Sequence, residues 1–401
     1  MRGQKVVYGG LLIVAMLAGC TQGTPAPASP SPLSTNPAEA GGTAGASSQA
    51  SSVLTPVVSV GSAVTETMAP PAGLTLALGS PEEGWALWTV GRDGALHLLM
   101  DDLAAPHDLP DFDIAPDHQR ILYSHGNDIW LFDAVSGEKH NVTATPEVSE
   151  RLPRWWSNTA DSFLCGSDSR PLEGPALGYL TRVDFAGNYE VLDDRGYLSA
   201  PPAPAPDGQR VLYSWSDQSG GVHPSLYETG QGAREFDLSA YGIDWVDWAG
   251  GASWSKDGKR LAWSLVRSGD GSSEVAEVVF DLDAKTHQIV HRYQRVPVGG
   301  FDPAPQWMPD NKSIVFYDFS ADAGTQGLVI ADLEKGRTEA FTPELVNRAL
   351  INEPVVSPDG RWVIGVTPDK SAVGLVDMNS RTLHLWSAGK QVSAAGWLLL
   401  P

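Results

Sequence analysis

The segment Tyr241-Gly242-Ile243-Asp244-Trp245-Val246-Asp247-Trp248 gathers side chains suited to holding a ligand. Two indoles stack on a sugar ring, and two carboxylates accept its hydroxyls. The same set can clamp a peptide. Trp155 and Trp156 are expected on the equivalent connection of an earlier repeat unit, where they would join the same site. Of the fourteen tryptophans, Trp130, Trp254, Trp263, Trp307, Trp362 and Trp397 fall at repeat positions, and packing between units accounts for them.

Catalytic signatures are missing. There is no Gly-x-Ser-x-Gly nucleophile elbow, no His-Glu-x-x-His and no phosphate-binding Gly-rich loop ending in Lys-Ser/Thr. The nine histidines are scattered singly. The short acidic runs Asp111-Phe112-Asp113 and Asp281-Leu282-Asp283 do not match a calcium loop. No metal and no cofactor is expected. The primary expectation is therefore a non-catalytic binding scaffold for a protein, peptide or glycan. The alternative is a glycan hydrolase or lyase whose carboxylates come from distant units to line a central channel. Inward-facing acids with raised pKa would be its sign.

The elements that would position these residues show as a repeat. Ala205-Pro206-Asp207-Gly208-Gln209-Arg210-Val211-Leu212-Tyr213 returns as Ser255-Lys256-Asp257-Gly258-Lys259-Arg260-Leu261-Ala262-Trp263, and again from Ala115, Met308 and Ser357, with degenerate copies at Ser157 and Ser80. Proline fixes the first turn position, Asp bonds back onto the turn, and Gly or Asn accepts a positive φ, so two strands meet in a tight hairpin. A third strand ending in Asp follows, as in Asp128-Ile129-Trp130-Leu131-Phe132-Asp133, and then a fourth. The turn positions recur 42 to 53 residues apart, the spacing of four-stranded propeller blades. An all-β propeller of seven blades is expected, six or eight being alternatives. Ala395-Gly396-Trp397-Leu398-Leu399-Leu400 would close the ring as an inner strand.

At these residues the sequence resembles the TolB-type propeller repeat, with Ser-Pro-Asp-Gly-Lys followed by an apolar strand and then Ile-Trp-x-x-Asp. The resemblance covers essentially residues 73–400. It implies extracytoplasmic protein binding, or a filtering domain beside a hydrolase. TolB carries an α/β domain before its propeller, and here a polar stalk takes that place. No residues remain for a hydrolase domain.

The N-terminus carries Arg2 and Lys5, an apolar run from Val6 to Leu17, and the ending Leu17-Ala18-Gly19-Cys20. That order fits a secretory signal over residues 1–19. The ending resembles the lipobox of bacterial lipoproteins, which implies cleavage before Cys20 and its acylation. Thr21 stands where an inner-membrane retention Asp would be. Residues 20–72, rich in Pro, Ala, Ser, Thr and Gly, are expected to form a flexible tether, and residues 73–401 the propeller. Loss of the signal takes the formal charge from −21 to −23, which excludes nucleic acid as a partner. The expected location is outside the cytoplasm, held to the cell or outer membrane by the lipid. Cys165, left without a partner, lies in the apolar run Ser162-Phe163-Leu164-Cys165 and is expected to be a buried small hydrophobe.

Overall fold

The computed structural model describes residues 55–57, 63–64, 69–108, 110–145, 148–169, 177–217, 221–269, 272–295, 303–320, 327–341, 354–366 and 370–399. Cys20 and the signal lie outside them. Seven sheets, each with an antiparallel four-stranded blade, follow one another along the chain. Each runs from an inner strand, through two central strands, to an outer one. Blade 5 has the longest strands: Trp248–Trp254, Arg260–Ser268, Ser273–Asp281 and Thr286–Arg295. The chain is a seven-bladed β-propeller, as the repeat spacing predicts.

The hairpin between inner and second strand forms by the chemistry read from the sequence. The Oδ1 of Asp117, Asp207 and Asp310 accepts from the backbone N–H two residues on, at 2.9, 2.9 and 2.7 Å. The residue between has φ of 57° at His118, 66° at Gly208 and 56° at Asn311. In the two Ser-x-Asp-Gly copies the serine adds a bond: Ser255 Oγ and Ser357 Oγ donate to Asp257 and Asp359 at 2.7 and 2.6 Å. Those serine bonds are the main cause that holds both carboxyls below their ordinary value.

Three pairs of adjacent blades, 2 and 3, 4 and 5, and 5 and 6, are stapled by a tryptophan at the end of the later blade's inner strand. Trp155 Nε1 donates to the Asp113 carbonyl (3.1 Å), Trp254 Nε1 to Ala203 (2.9 Å), and Trp307 Nε1 to Ser253 (3.1 Å). Each acceptor lies on the inner strand of the preceding blade. The same indoles carry the guanidinium groups of Arg120, Arg210 and Arg260 at 5.1, 4.7 and 4.9 Å. That is cation–π range, and each arginine opens the second strand of the preceding blade. Packing between blades therefore accounts for Trp254 and Trp307.

The ring closes with strands from both ends of the chain. Gln391–Trp397 forms the inner strand of blade 1, antiparallel to Leu74–Ser80, and Gly84–Val90 and Leu96–Ala104 complete that sheet. Gly73, at φ 85°, donates to Val90 and accepts from Leu398 N at 2.9 Å. A Cβ there would sit 2.2 Å from the Leu398 oxygen, so the crossing needs glycine. Thr55–Val57 and Ala63–Val64 are parallel strands on the outer edges of blades 6 and 7. The backbone partner supplies an order that composition alone does not signal.

Candidate functional site

The inner strands surround a central channel of about 580 Å³ to which every blade contributes. Its polar wall is built by blades 2 and 3. Phe112–Ile114, the inner strand of blade 2, follows Asp111 and carries Asp113 at its centre. Residues two apart on a strand share a face, so the two carboxylates project together. Val148–Trp155, the inner strand of blade 3, carries a register shift between Arg151 and Arg154, with Leu152 at φ 58°. The bulge aims Arg154 into the same channel.

Both acids are tied to blade 3. Asp111 Oδ2 accepts from Leu152 N (2.8 Å) and Ser124 Oγ (3.3 Å), and its Oδ1 lies 3.5 Å from Arg154 Nη1. Asp113 Oδ2 accepts from Trp155 N at 2.9 Å. Burial raises the Asp113 carboxyl above its ordinary value, and neighbouring Asp111 adds to the rise, while Arg154 and the Trp155 amide oppose it. Elsewhere the wall mixes apolar side chains, with Trp254, Trp307, Val355 and Trp397, and polar ones, with Gln306 and Lys256. Such an arrangement can hold a polar group of either sign against blades 2 and 3 and an amphipathic group elsewhere on the wall. Among the described residues no three His, Cys, Asp or Glu side chains gather as metal ligands.

The connection from blade 4 to blade 5 holds the Tyr241 segment, as expected. A short 3-10 turn, Leu238–Tyr241, is capped by Asp237 and ended by Gly242 at φ 73°. Tyr241 stacks on Phe236 (5.5 Å, 7°) and meets Phe280 edge-on (5.1 Å, 87°). Trp245 is partly buried against the same cluster, with the Arg292 guanidinium 4.6 Å over its ring. Asp247 Oδ2 accepts from Ser268 N at 2.6 Å, and Asp244 is exposed. Trp248 opens the inner strand of blade 5, and its side chain lies outside the described residues. Tyr241 and Trp245 thus anchor the loop, leaving the two aspartates at its surface.

Trp155 and Trp156 are placed elsewhere. Inner strands start at one face of the ring and finish at the other. The Tyr241 segment precedes a start, whereas Trp155 ends a strand. The two tryptophans therefore lie at the face opposite the segment they were expected to join. Both are buried, at 4% and 5% exposure. Trp155 is a blade staple, and Trp156 packs edge-on against Tyr227 (6.1 Å) beneath Arg182. The turn after them, Ser157–Asp161, has no proline and one residue more than the other copies, which disguised it as a connection. Cys165 is fully buried and free, and burial pushes its thiol to about 12, so it is unreactive.

No family model and no curated protein sequence matches the chain. Among solved structures it is similar to an oligogalacturonate lyase in complex with manganese, with a TM-score of 0.54 and 13% identity over 80% of this chain and 96% of that one. A functionally unknown protein from Desulfotomaculum acetoxidans DSM 771 gives 0.51 and 12%, over 82% and 100%. TolB from Acinetobacter baumannii gives 0.49 and 15% over 81% of this chain, which spans 66% of that TolB chain. The fold is a propeller with TolB among its structural neighbours. At these identities the likeness is one of fold, which leaves function to the site.

Proposed function

We propose that the protein is an exported, lipid-anchored propeller that binds an extended segment of an envelope protein, peptide or glycan at its central channel without turning it over. The observation that carries this reading is the commitment of both channel acids. Asp111 and Asp113 are held by the Leu152 and Trp155 amides of the next blade, with Arg154 beside them. Acids fixed in this way make a rigid polar wall, and rigidity favours binding. Asp244 and Asp247 on the blade 4–5 connection offer further contacts at the face where inner strands begin. The lipid anchor is supported by the Arg2–Cys20 sequence.

One observation favours the enzyme alternative, namely the raised pKa of Asp113 with Asp111 beside it, an arrangement that general acids use. Both readings are tested by screening envelope peptides and glycans against the non-lipidated mature chain, with mass spectrometry of each hit. Binding without turnover, weakened about tenfold or more by Arg154→Ala, supports the scaffold. Binding that Arg154→Ala and Gln306→Ala leave untouched removes the channel as the site. Turnover abolished by Asp113→Asn replaces the scaffold with the enzyme.

A further inference from the structure

The seam between blades 2 and 3 holds a second polar nest, away from the channel. Asp128 opens the third strand of blade 2, Asp128–Asp133. Thr143 and Thr145 lie on the connection to blade 3. Glu150 belongs to the inner strand of that blade, Val148–Trp155, and Tyr189 starts its outer strand, Tyr189–Asp193. None of these side chains lines the channel. Thr145 joins the two acids: its amide donates to Asp128 Oδ1 at 3.2 Å and its hydroxyl to Glu150 Oε1 at 2.6 Å. Thr143 Oγ1 accepts from Ile129 N at 2.9 Å and lies 3.5 Å from Asp128 Oδ1. The Tyr189 hydroxyl donates to the Thr143 carbonyl at 3.0 Å. Carboxylate, hydroxyl and carbonyl oxygens thus converge on one seam.

The charge of this nest is not balanced. Among the described residues neither acid has an ion-pair partner. The neighbouring cations are committed elsewhere: Arg120 to Asp117, Lys139 to Asp101 and Asp102, Arg154 to Asp111, and Arg182 to Glu190. Glu150 is 2% exposed, and its Oε2 is buried with no hydrogen-bond partner among the described residues. A buried carboxylate oxygen left in this way costs free energy. Burial pushes the Glu150 carboxyl above its ordinary value; the Thr145 hydroxyl opposes the rise and Asp128 adds to it. A proton would remove the charge of Glu150 and still leave Oε2 without a partner. A metal cation answers both needs, because it neutralises the pair and takes Oε2 as a ligand.

We propose that this nest is a calcium site that ties blade 2 to blade 3. Glu150 Oε2 and the Asp128 carboxylate supply the charged ligands. The Thr143 and Thr145 hydroxyls and the Thr143 carbonyl supply neutral ones. Calcium takes about six to eight oxygen ligands in flexible geometry, whereas magnesium demands a near-ideal octahedron and keeps several waters. An oxygen donor set suits such a hard cation better than zinc or copper. Two carboxylates match its charge. Glu150 shares its strand with Arg154, so the ion also steadies the strand that carries the polar wall of the channel.

The intact chain, stripped with EDTA, tests this. Millimolar calcium is expected to raise its melting temperature by about 2–4 °C, with magnesium or sodium at equal ionic strength leaving it in place. Glu150→Gln keeps the shape and removes the charge, and is expected to abolish the calcium shift. Asp128→Asn is expected to raise the calcium concentration needed by about tenfold. Glu138→Gln, an exposed acid of blade 2, is expected to keep the full shift. In the unsubstituted chain, calcium is expected to slow amide exchange at Ile129 and Thr145 by about tenfold, with blades 5 to 7 unchanged. No calcium shift, an equal shift with magnesium or sodium, or a shift that survives Glu150→Gln overturns the proposal. If a variant fails to fold, the exchange measurement decides: calcium that stabilises the chain without slowing Ile129 and Thr145 binds elsewhere, and the proposal falls.

Discussion

Asp113 combines a burial cost with a structural bond, and the two can be separated. Its carboxyl is raised above the ordinary value chiefly by burial, so its protonated form is favoured in the folded state. For such a group the stabilising contribution is full below the unfolded pKa of about 3.9 and is lost as pH rises through the folded value. Ionising it in the folded state carries the desolvation cost. Asp113→Asn keeps an oxygen for the Trp155 amide and removes the charge. It is expected to melt at or above the wild-type temperature at pH 7, the difference shrinking below pH 4. A loss of several degrees at pH 7 would mean that Arg154 outweighs burial. The turn aspartates have the opposite sign. Asp359 is held low by the Ser357 hydroxyl, so its contribution is present above about pH 4 and lost as pH falls through its folded value. Ser357→Ala also removes the acceptor for Trp362 N at 2.8 Å. It is expected to cost about 1–2 kcal/mol at pH 7 and less in acid, read from thermal melts across pH.

At the scale of the blade, the tryptophan staple ties three of the seams. Trp254→Phe keeps a ring between blades 4 and 5 but deletes the bond to the Ala203 carbonyl and weakens the stack with Arg210. The lost indole bond and the weakened cation–π contact together are expected to cost about 1–2 kcal/mol, seen as a lower denaturation midpoint. A midpoint unchanged within error would leave the staple without energetic content. The hairpins around these staples were legible in the sequence because their chemistry is local: Pro, Asp and Gly set the turn whatever surrounds it. The inner strand ending in Trp397 was legible because Gly396-Trp397 repeats the pattern of Ser253-Trp254. The polar wall was less so. Asp111-Phe112-Asp113 was visible as an acidic pair without calcium spacing. Its alternation on an inner strand was the signal that both acids face the channel. The rim strands gave no signal, since two or three residues in a Pro- and Ser-rich stretch have no period and take their register wholly from the partner.

A ring of blades differs from a linear stack because every blade needs two neighbours, so its stability rests on closure. Gln391–Trp397 meets Leu74–Gly79 through six registered pairs. It also brings Val392, Trp397 and Leu398 into contact with core residues of blades 1, 2 and 7. Without it, the fully buried stretch Leu74–Leu78 becomes an apolar sheet edge open to water, with a row of unpaired backbone groups. The seam to blade 7 then loses Val392 and Trp397 from its apolar cluster. The strands Thr55–Val57 and Ala63–Val64 cannot replace it, because they pair with the outer strands of blades 6 and 7. A chain ending at Lys390 is therefore expected to lose its cooperative thermal transition and to self-associate through the exposed edge. Adding a peptide of residues 391–401 in trans is expected to restore the transition, as strand addition does for an incomplete sheet. A truncated chain that melts cooperatively within a few degrees of the intact protein would show that the blades hold one another without the inner closure, and would move the energetic centre of the ring to the rim.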